Sequence, residues 1–471
     1  MTSPATLPEP DAIVIGAGSG GLTVAVGLSE FGRRVRLIER DLVGGDCTNV
    51  GCIPSKALLH STSEMNGRSG VDVLAHVRER RDHLREEETA EFAEMKNVDL
   101  QFGRARLLGG GQVEVVGAGG SVEVVEAKNV IVATGSRPRR IPVEGLPDDK
   151  YLTNEQLFEQ VNPPKRLVIV GAGAIGVEMA TAFVRLGTEV IVLEGAEQIL
   201  PTVLPEAAEI LHRSLSDAGV DLRPGLVAKQ YDRATNVLEI GPLKGEASAQ
   251  ISEVDKVLVA VGRLPNTEGL GIERLGVDVD SGGRIRIDAK GRTSVDGLWA
   301  TGDVSTEGAT THAANSWGRR IVKAIVFSVA PAGKPPEHPS VIYTSPEVAT
   351  IGTQPVKVPS DVRRISFDLA KSDRAFTDEI DDGVIVVDIR RFSGKVLGAT
   401  IVGPRAGELI SIFSFAMNAG VPFHKWYGVV WPYPSYADAL NHVVDEYMLE
   451  HLRSYHKDLP RWMWGRIRTR G

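Results

Sequence analysis

Two stretches of this 471-residue chain carry the same pattern, and that repetition most restricts what the chain can fold into. Asp11 to Ile15 is a short apolar run ending in Gly16-Ala17-Gly18-Ser19-Gly20-Gly21. A helical pattern follows to about Phe31, then a second strand, Val35 to Ile38, closed by Glu39. The unit recurs as Arg166 to Val170, then Gly171-Ala172-Gly173-Ala174-Ile175-Gly176, a helix to about Leu186, and Glu189 to Leu193 closed by Glu194. The spacing from Gly16 to Glu39 is 23 residues, and so is that from Gly171 to Glu194. One glycine triad alone is weak; two in matched strand-helix-strand context with equal acid spacing are specific. Each copy has the parts of a dinucleotide site. The glycines allow a tight turn and close approach of a pyrophosphate to a helix N-terminus, and the acid accepts hydrogen bonds from ribose hydroxyls.

Composition limits what surrounds these units. The length suggests about three domains, and 42% hydrophobic residues can fill several cores, which excludes a disordered or disulfide-stapled chain. Net charge is −8, from 53 Lys+Arg against 61 Asp+Glu, so no general attraction to nucleic acid or anionic lipid is expected. Met1 to Pro10 lacks a basic start and a long apolar stretch, and no later run approaches the roughly 18 apolar residues of a membrane span. The chain reads as cytoplasmic.

Between the two copies lie a charged helical stretch, about Val77 to Met95, whose charges read as a solvated face, and a β-rich meander ending at Val130 to Thr134 and Gly135. Lys256 to Val261 leads into Gly262-Arg263-Leu264-Pro265-Asn266, and Leu298 to Thr301 into Gly302-Asp303; each reads as a strand ending at a ligand-facing turn. From about Pro335, short strands (Val384 to Ile389, Val396 to Val402) alternate with helices without phosphate-loop signals, as in a separate α+β domain.

The only two cysteines, Cys47 and Cys52, lie in Gly44-Gly45-Asp46-Cys47-Thr48-Asn49-Val50-Gly51-Cys52-Ile53-Pro54-Ser55-Lys56, directly after the first unit. Both sulfurs then fall at a helix start, which stabilises thiolates, and Lys56 adds a positive charge one turn on. Such a dithiol suits exchange with a second disulfide or electron passage to a flavin. Read alone, the spacing fits a buried pair of small residues equally well.

These motifs together resemble the FAD-dependent pyridine nucleotide-disulfide oxidoreductases, the group containing dihydrolipoamide dehydrogenase, glutathione reductase and mercuric reductase. The resemblance runs from Asp11 to about Tyr447. It rests on both glycine fingerprints, the cysteine segment, Ala133-Thr134-Gly135, Gly262 to Asn266, Ala300 to Val304, Tyr343 to Gly352 and Val396 to Ile410. It implies an α/β fold with two Rossmann-like dinucleotide-binding domains, for FAD and NAD, and a C-terminal α+β dimerisation domain. The boundaries it implies are 1–152 with 269–334 for FAD, 153–268 for NAD(P) and 335–471 for dimerisation.

Carried over residue by residue, the resemblance implies FAD on Gly16, Gly18, Ser19, Gly20 and Gly21, with Glu39 and Arg40 at the adenosine. Gly45, Asp46, Cys47, Lys56, Ala105, Ala133, Thr134 and Gly135 are implied along the same cofactor. Gly302, Asp303, Ala309, Thr310, Thr311 and His312 are implied near the ribityl chain and ring. Gly171, Gly173, Ala174, Ile175, Glu178, Glu194 and Gly262 are implied to hold the nicotinamide nucleotide. Cys52 then faces the flavin, Cys47 attacks substrate, and Lys56 lies near flavin N5 paired with Glu178. That pairing is physically sensible, since a lysine at the flavin favours an anionic reduced ring and needs a counter-charge if buried. Glu194 is followed by Gly195-Ala196 with no adjacent arginine for a 2′-phosphate, so NADH is favoured over NADPH. Arg185 and Lys229 are the other basic candidates.

One departure bears on the substrate. Where the family's disulfide reductases carry a histidine and, five residues on, a glutamate, this chain has Tyr433 and Asp438. A phenol with pKa of about 10 donates a hydrogen bond at neutral pH and accepts a thiol proton poorly. Efficient dihydrolipoamide or glutathione turnover is therefore not expected. Mercuric reductases also carry tyrosine in this region, and thiolates suit soft metals. This chain, however, has no C-terminal cysteine pair. His442, four residues after Asp438, reads first as a helix or interface histidine, and His424 as structural. The tail, with Arg461, Trp462, Trp464, Arg466, Arg468 and Arg470, suits either packing on its own dimer or contact with a membrane surface, the former being simpler.

The sequence thus points to a homodimeric NADH-dependent flavoenzyme. Its Cys47/Cys52 dithiol reduces a disulfide or other electron acceptor, with Tyr433 and Asp438 supplied by the other subunit. Dihydrolipoamide dehydrogenase and a mercuric-type metal reductase are the alternatives within enzymes. A flavin-bound redox sensor or docking protein is the alternative outside them.

Overall fold

A computed structural model of the chain describes residues 9–307, 310–327 and 334–449. Ala309 and the tail from Arg461 lie outside the described residues. The chain divides into two compact units. The first comprises residues up to Ile141, Leu152–Pro163 and Val261–Pro335; the second comprises Pro142–Tyr151, Pro164–Ala260 and the residues from Pro336 on.

The first unit is built on β1 (Ala12–Ile15), α1 (Ser19–Glu30) and β2 (Val35–Glu39). β1 is buried at every position, as expected for a strand covered on both faces. Its parallel sheet runs Leu298–Ala300, Asn129–Val132, β1, β2, Val98–Phe102. β1 is central, so the glycine loop at its carboxyl end opens at the crevice where ligands bind open α/β sheets. After β2 come α2 (Gly45–Asn49), α3 (Cys52–Ser63) and α4 (Gly70–Glu94). α4 begins at Gly70, nearly two turns before the charged pattern suggests, because Ser69 and Asp72 form a capping box there.

The second unit repeats the scheme with β3 (Arg166–Val170), α5 (Ala174–Arg185) and β4 (Glu189–Glu194). β3 pairs in parallel with β4 and Lys256–Val259, and β4 with Asp221–Pro224. The C-terminal part forms an antiparallel sheet in the order Ser340–Ile342, Glu347–Gly352, Val396–Gly403, Val384–Arg390, Val362–Asp368. The Ala406–Asn418 helix covers it, burying Leu409, Ile410 and Phe413 in a core with Ile385, Val387 and Ile401. Among the described residues no helix is long and apolar enough to cross a membrane.

Candidate functional site

The two glycine loops are near-identical in detail. Gly16 and Gly171 both adopt φ of 104°, which side chains rarely take. A Cβ on Gly21 would lie 2.0 Å from the Gly16 carbonyl oxygen, and one on Gly176 would lie 1.9 Å from that of Gly171. The third glycine is therefore fixed by packing within the loop. The middle glycine differs: a Cβ on Gly173 meets nothing within 4 Å, and one on Gly18 only Gly45 Cα at 3.8 Å. Both are helix N-caps without a side-chain hydrogen bond, so the first amides of α1 and α5 are left for a ligand. Ala174 and Ile175, at the start of α5, are exposed. An open cradle over uncapped helix amides fits a pyrophosphate.

The strand-end acids do more than the sequence suggests. Glu39 accepts from the Ala17 amide at 2.7 Å and the Asp41 amide at 2.8 Å. Glu194 repeats this with Ala172 at 2.8 Å and Ala196 at 2.9 Å. Each carboxylate braces the loop it follows while keeping lone pairs for a ribose. Arg40 is exposed beside Glu39, and Ala105 packs against the core that holds Ile38 and Val132.

Cys47 sits within α2, and Cys52 opens α3 after Gly51 breaks the chain direction. Gly44 and Gly45, both at positive φ, lead into α2 against the first loop: the Gly44 amide donates to Ala17 O at 2.8 Å, and a Cβ on Gly45 would lie 2.8 Å from Gly18 Cα. This contact holds the cysteine segment at the nucleotide loop. Both cysteines are free thiols and half-buried. The Thr311 hydroxyl donates to Cys47 Sγ at 3.4 Å and lies 3.5 Å from Cys52 Sγ. The neighbouring Cys52 and burial push the Cys47 thiol well up, while the hydroxyls of Thr311 and Ser19 pull it down. Lys56 is one turn beyond Cys52 on α3.

Two polar groupings at this site were not legible in the motifs. Arg263 donates from Nε to Ser136 Oγ at 2.7 Å, pairs with Asp46, and lies 3.6 Å from Asp303 Oδ2; Ser136 Oγ in turn donates to Asp303 at 2.6 Å. Burial holds the Asp46 carboxyl up against the pull of Arg263. Thr134 and Asn266 exchange hydrogen bonds at 2.8 and 2.9 Å, and the Asn266 amide donates to Gly135 O, which knits these two turns together. Gly262 and Gly302 keep positive φ beside them. Thr310 Oγ1 lies 3.0 Å from His312 Nε2.

The second grouping corrects the solvated-face reading of α4. Glu88 accepts from Thr48, next to Cys47, at 3.0 Å, and burial holds its carboxyl up. On the same helix Arg81 is buried and pairs with Asp82 and Glu159. Charge alone did not separate these two positions from their exposed neighbours.

In the second unit, Glu178 on α5 is buried and accepts from the Tyr343 amide at 2.9 Å. Tyr433 is 71% exposed, and its hydroxyl donates to Asp373 at 2.9 Å. That bond raises the phenol further. Asp438 instead accepts from Asn441 at 2.7 Å, while its amide is held by Ser435. His442 stacks on Phe367 at 4.7 Å, in keeping with a structural histidine.

Two dinucleotide loops and a paired dithiol define a pyridine-nucleotide-dependent thiol-disulfide redox protein. The chain belongs to the pyridine nucleotide-disulphide oxidoreductase family, which residues 10–318 match, while residues 338–444 match that family's dimerisation domain. It is similar to a dihydrolipoyl dehydrogenase of Thermus scotoductus, 34% identical over 91% of this chain and 95% of that one. It is also similar to a dihydrolipoyl dehydrogenase of Halobacterium salinarum, 32% identical over 91% and 94%. Among solved structures it resembles the Cu(II) complex of the HOCl-induced flavoprotein disulfide reductase RclA from Escherichia coli. The TM-score is 0.84 at 26% identity, covering 93% of this chain and 99% of that one. LpdA from Mycobacterium tuberculosis gives 0.82 at 26%, covering 92% and 99%. The chain is accordingly a flavoprotein disulfide oxidoreductase that uses FAD and NAD(H).

Proposed function

We propose that NADH is the reductant and that the Cys47/Cys52 dithiol passes its electrons to an acceptor attacked by Cys47. The observation that carries this is the pair of half-buried sulfurs sharing one hydroxyl beside the first nucleotide loop. The Gly16 loop with Glu39 holds FAD, and the Gly171 loop with Glu194 holds the nicotinamide nucleotide. The bound flavin supplies the step between a hydride donor and a disulfide. Domains follow the boundaries 1–152 with 269–334, 153–268 and 335–471.

Several features support NADH. Glu194 stands at the strand end with both oxygens engaged. Arg185 lies in the last turn of α5, at the far end of that helix from the loop, and Lys229 donates to Leu243 O.

The functional form is a homodimer in which Tyr433 of one subunit reaches the dithiol of the other, with Asp438 nearby. Large apolar side chains exposed on the C-terminal part, Phe415, Val430 and Tyr433 among them, support an interface there. Tyr433 keeps its proton and donates a hydrogen bond to Asp373, so it orients an acceptor rather than taking a thiol proton. This favours a non-lipoamide disulfide or a soft metal ion. Copper(II) is the metal to try, since RclA is known in a Cu(II) complex.

The test is NADH oxidation by the holoenzyme with lipoamide, glutathione disulfide and Cu(II) as acceptors. Cys47→Ser is expected to abolish turnover. Tyr433→His is expected to raise lipoamide turnover by roughly 10²-fold, the lower end of a general base's contribution. Full activity in Cys47→Ser overturns the proposal.

A further inference from the structure

Tyr433 and Tyr436 are both held by acids of one short helix, Asp373–Thr377, whose C-cap is Asp378. Tyr436 is buried in the C-terminal core, and its hydroxyl donates to Asp378 at 2.8 Å. Tyr433 is exposed, and its hydroxyl donates to Asp373 at 2.9 Å. The first bond anchors the segment. The second satisfies no buried group, so it orients an outward-facing phenol instead of securing the core.

The neighbours of Asp373 leave it for this task. Ser372 caps the helix by accepting from the Ala375 amide at 3.3 Å, so the Asp373 carboxylate is not spent on the helix start. Arg374, the adjacent cation, donates to Asp378 at 2.9 Å and lies over the Tyr436 ring. It therefore balances Asp378 and leaves the charge of Asp373 beside the exposed phenol. Asp438 adds a second negative charge, and both acids push the ionisation of Tyr433 up.

We propose that Asp373 is a positioning residue for the electron acceptor: it takes the one phenol hydrogen of Tyr433, so that Tyr433 Oη presents only lone pairs, and selects an acceptor with a positive charge or a hydrogen-bond donor beside its reducible bond over an anionic one. A phenol has a single hydrogen to give. With that hydrogen on Asp373, Oη accepts from an ammonium or N–H group and repels a carboxylate. The inference rests on the reading that Tyr433 reaches the dithiol of the other subunit. The step it acts on is thiol-disulfide exchange. The Cys47/Cys52 dithiol and R–S–S–R give the cysteine disulfide and two R–SH, so two electrons and two protons pass from the cysteines to the acceptor. Neither proton comes from Tyr433.

The test measures NADH-dependent reduction, by the holoenzyme, of small disulfides that differ in charge: cystamine, with an ammonium on each arm, neutral hydroxyethyl disulfide, and anionic dithiodipropionate. Wild type should rank them in that order by kcat/KM. Asp373→Asn keeps an oxygen for the phenol and removes the charge. An exposed charge pair is worth up to about fivefold; the cationic disulfide loses that attraction and the anionic one is freed of the matching repulsion, so the cystamine-to-dithiodipropionate ratio should fall about tenfold. Asp373→Ala, which also releases the phenol hydrogen, should lower it further, and Asp373→Glu should retain most of it. A merely structural role for Asp373 would scale all the substrates together. An asparagine variant with the wild-type ratio overturns the proposal, as does a glutamate variant no better than asparagine or a wild-type preference for dithiodipropionate. Failure of the underlying electron path looks different: Cys47→Ser then still reduces cystamine.

Discussion

Gly173 and Gly176 are three residues apart in one loop, yet the structure assigns them different duties. A methyl on Gly176 would sit 1.9 Å from the Gly171 carbonyl oxygen, far inside the 3.0 Å below which real Cβ atoms are essentially never found. The carbonyl belongs to backbone at the end of β3 and cannot rotate away. Overpacking of this kind costs about 1–3 kcal/mol, so Gly176→Ala should lower the stability of the second unit by that amount. A methyl on Gly173 meets no protein atom within 4 Å, and Gly173 has φ of −76°, ordinary for alanine. Gly173→Ala should therefore unfold like wild type, or slightly later, because alanine narrows the unfolded ensemble by about 0.4–1 kcal/mol. The methyl does occupy the space over the uncapped α5 amides, where a pyrophosphate must come close. NADH affinity should then fall at least roughly tenfold, about 1.4 kcal/mol. Urea unfolding and NADH titration of both variants separate the cases. Wild-type NADH affinity in Gly173→Ala would refute the assignment of this loop to the nucleotide.

Asp388 is fully buried and accepts a bidentate pair from Arg364 at 2.8 and 2.7 Å. Asp388→Ala leaves that guanidinium unpaired and should cost about 3 kcal/mol in urea unfolding, with no change in NADH binding. Glu88 has its folded-state pKa raised by burial. Its contribution to stability is thus present below the unfolded value of about 4.3 and is lost as pH rises through the folded value. Relative to Glu88→Gln, wild type should lose stability between pH values below and above that point; an unchanged difference in urea midpoint would contradict it.

The fold was legible because its controls are local. Equal spacing from Gly16 to Glu39 and from Gly171 to Glu194 fixes two turns and two loop braces, and these recur in the structure almost atom for atom. The sulfurs were legible for the same reason, as Gly44 and Gly45 tie their segment to the first loop. What the sequence hid depends on pairing between distant segments. Arg263 meets Asp46 across 217 positions, and Thr311 meets Cys47 across 264. Nothing near Glu88 in α4 distinguishes it from Glu86 or Glu87; its partner, Thr48, is 40 residues away. The Tyr433 phenol likewise meets Asp373, 60 residues upstream on a short helix that nothing local to Tyr433 announces.

The central claim is that electrons from NADH pass through the bound flavin to Cys47 and Cys52. An anaerobic titration of the purified holoenzyme with NADH, and separately with NADPH, tests it most directly, recording the flavin spectrum for wild type and Cys47→Ser. After two electrons, wild type should develop a long-wavelength thiolate-to-flavin charge-transfer band, and NADH should produce it in preference to NADPH. Direct bleaching of the wild-type flavin without that band would place the cysteines outside the electron path and contradict the account.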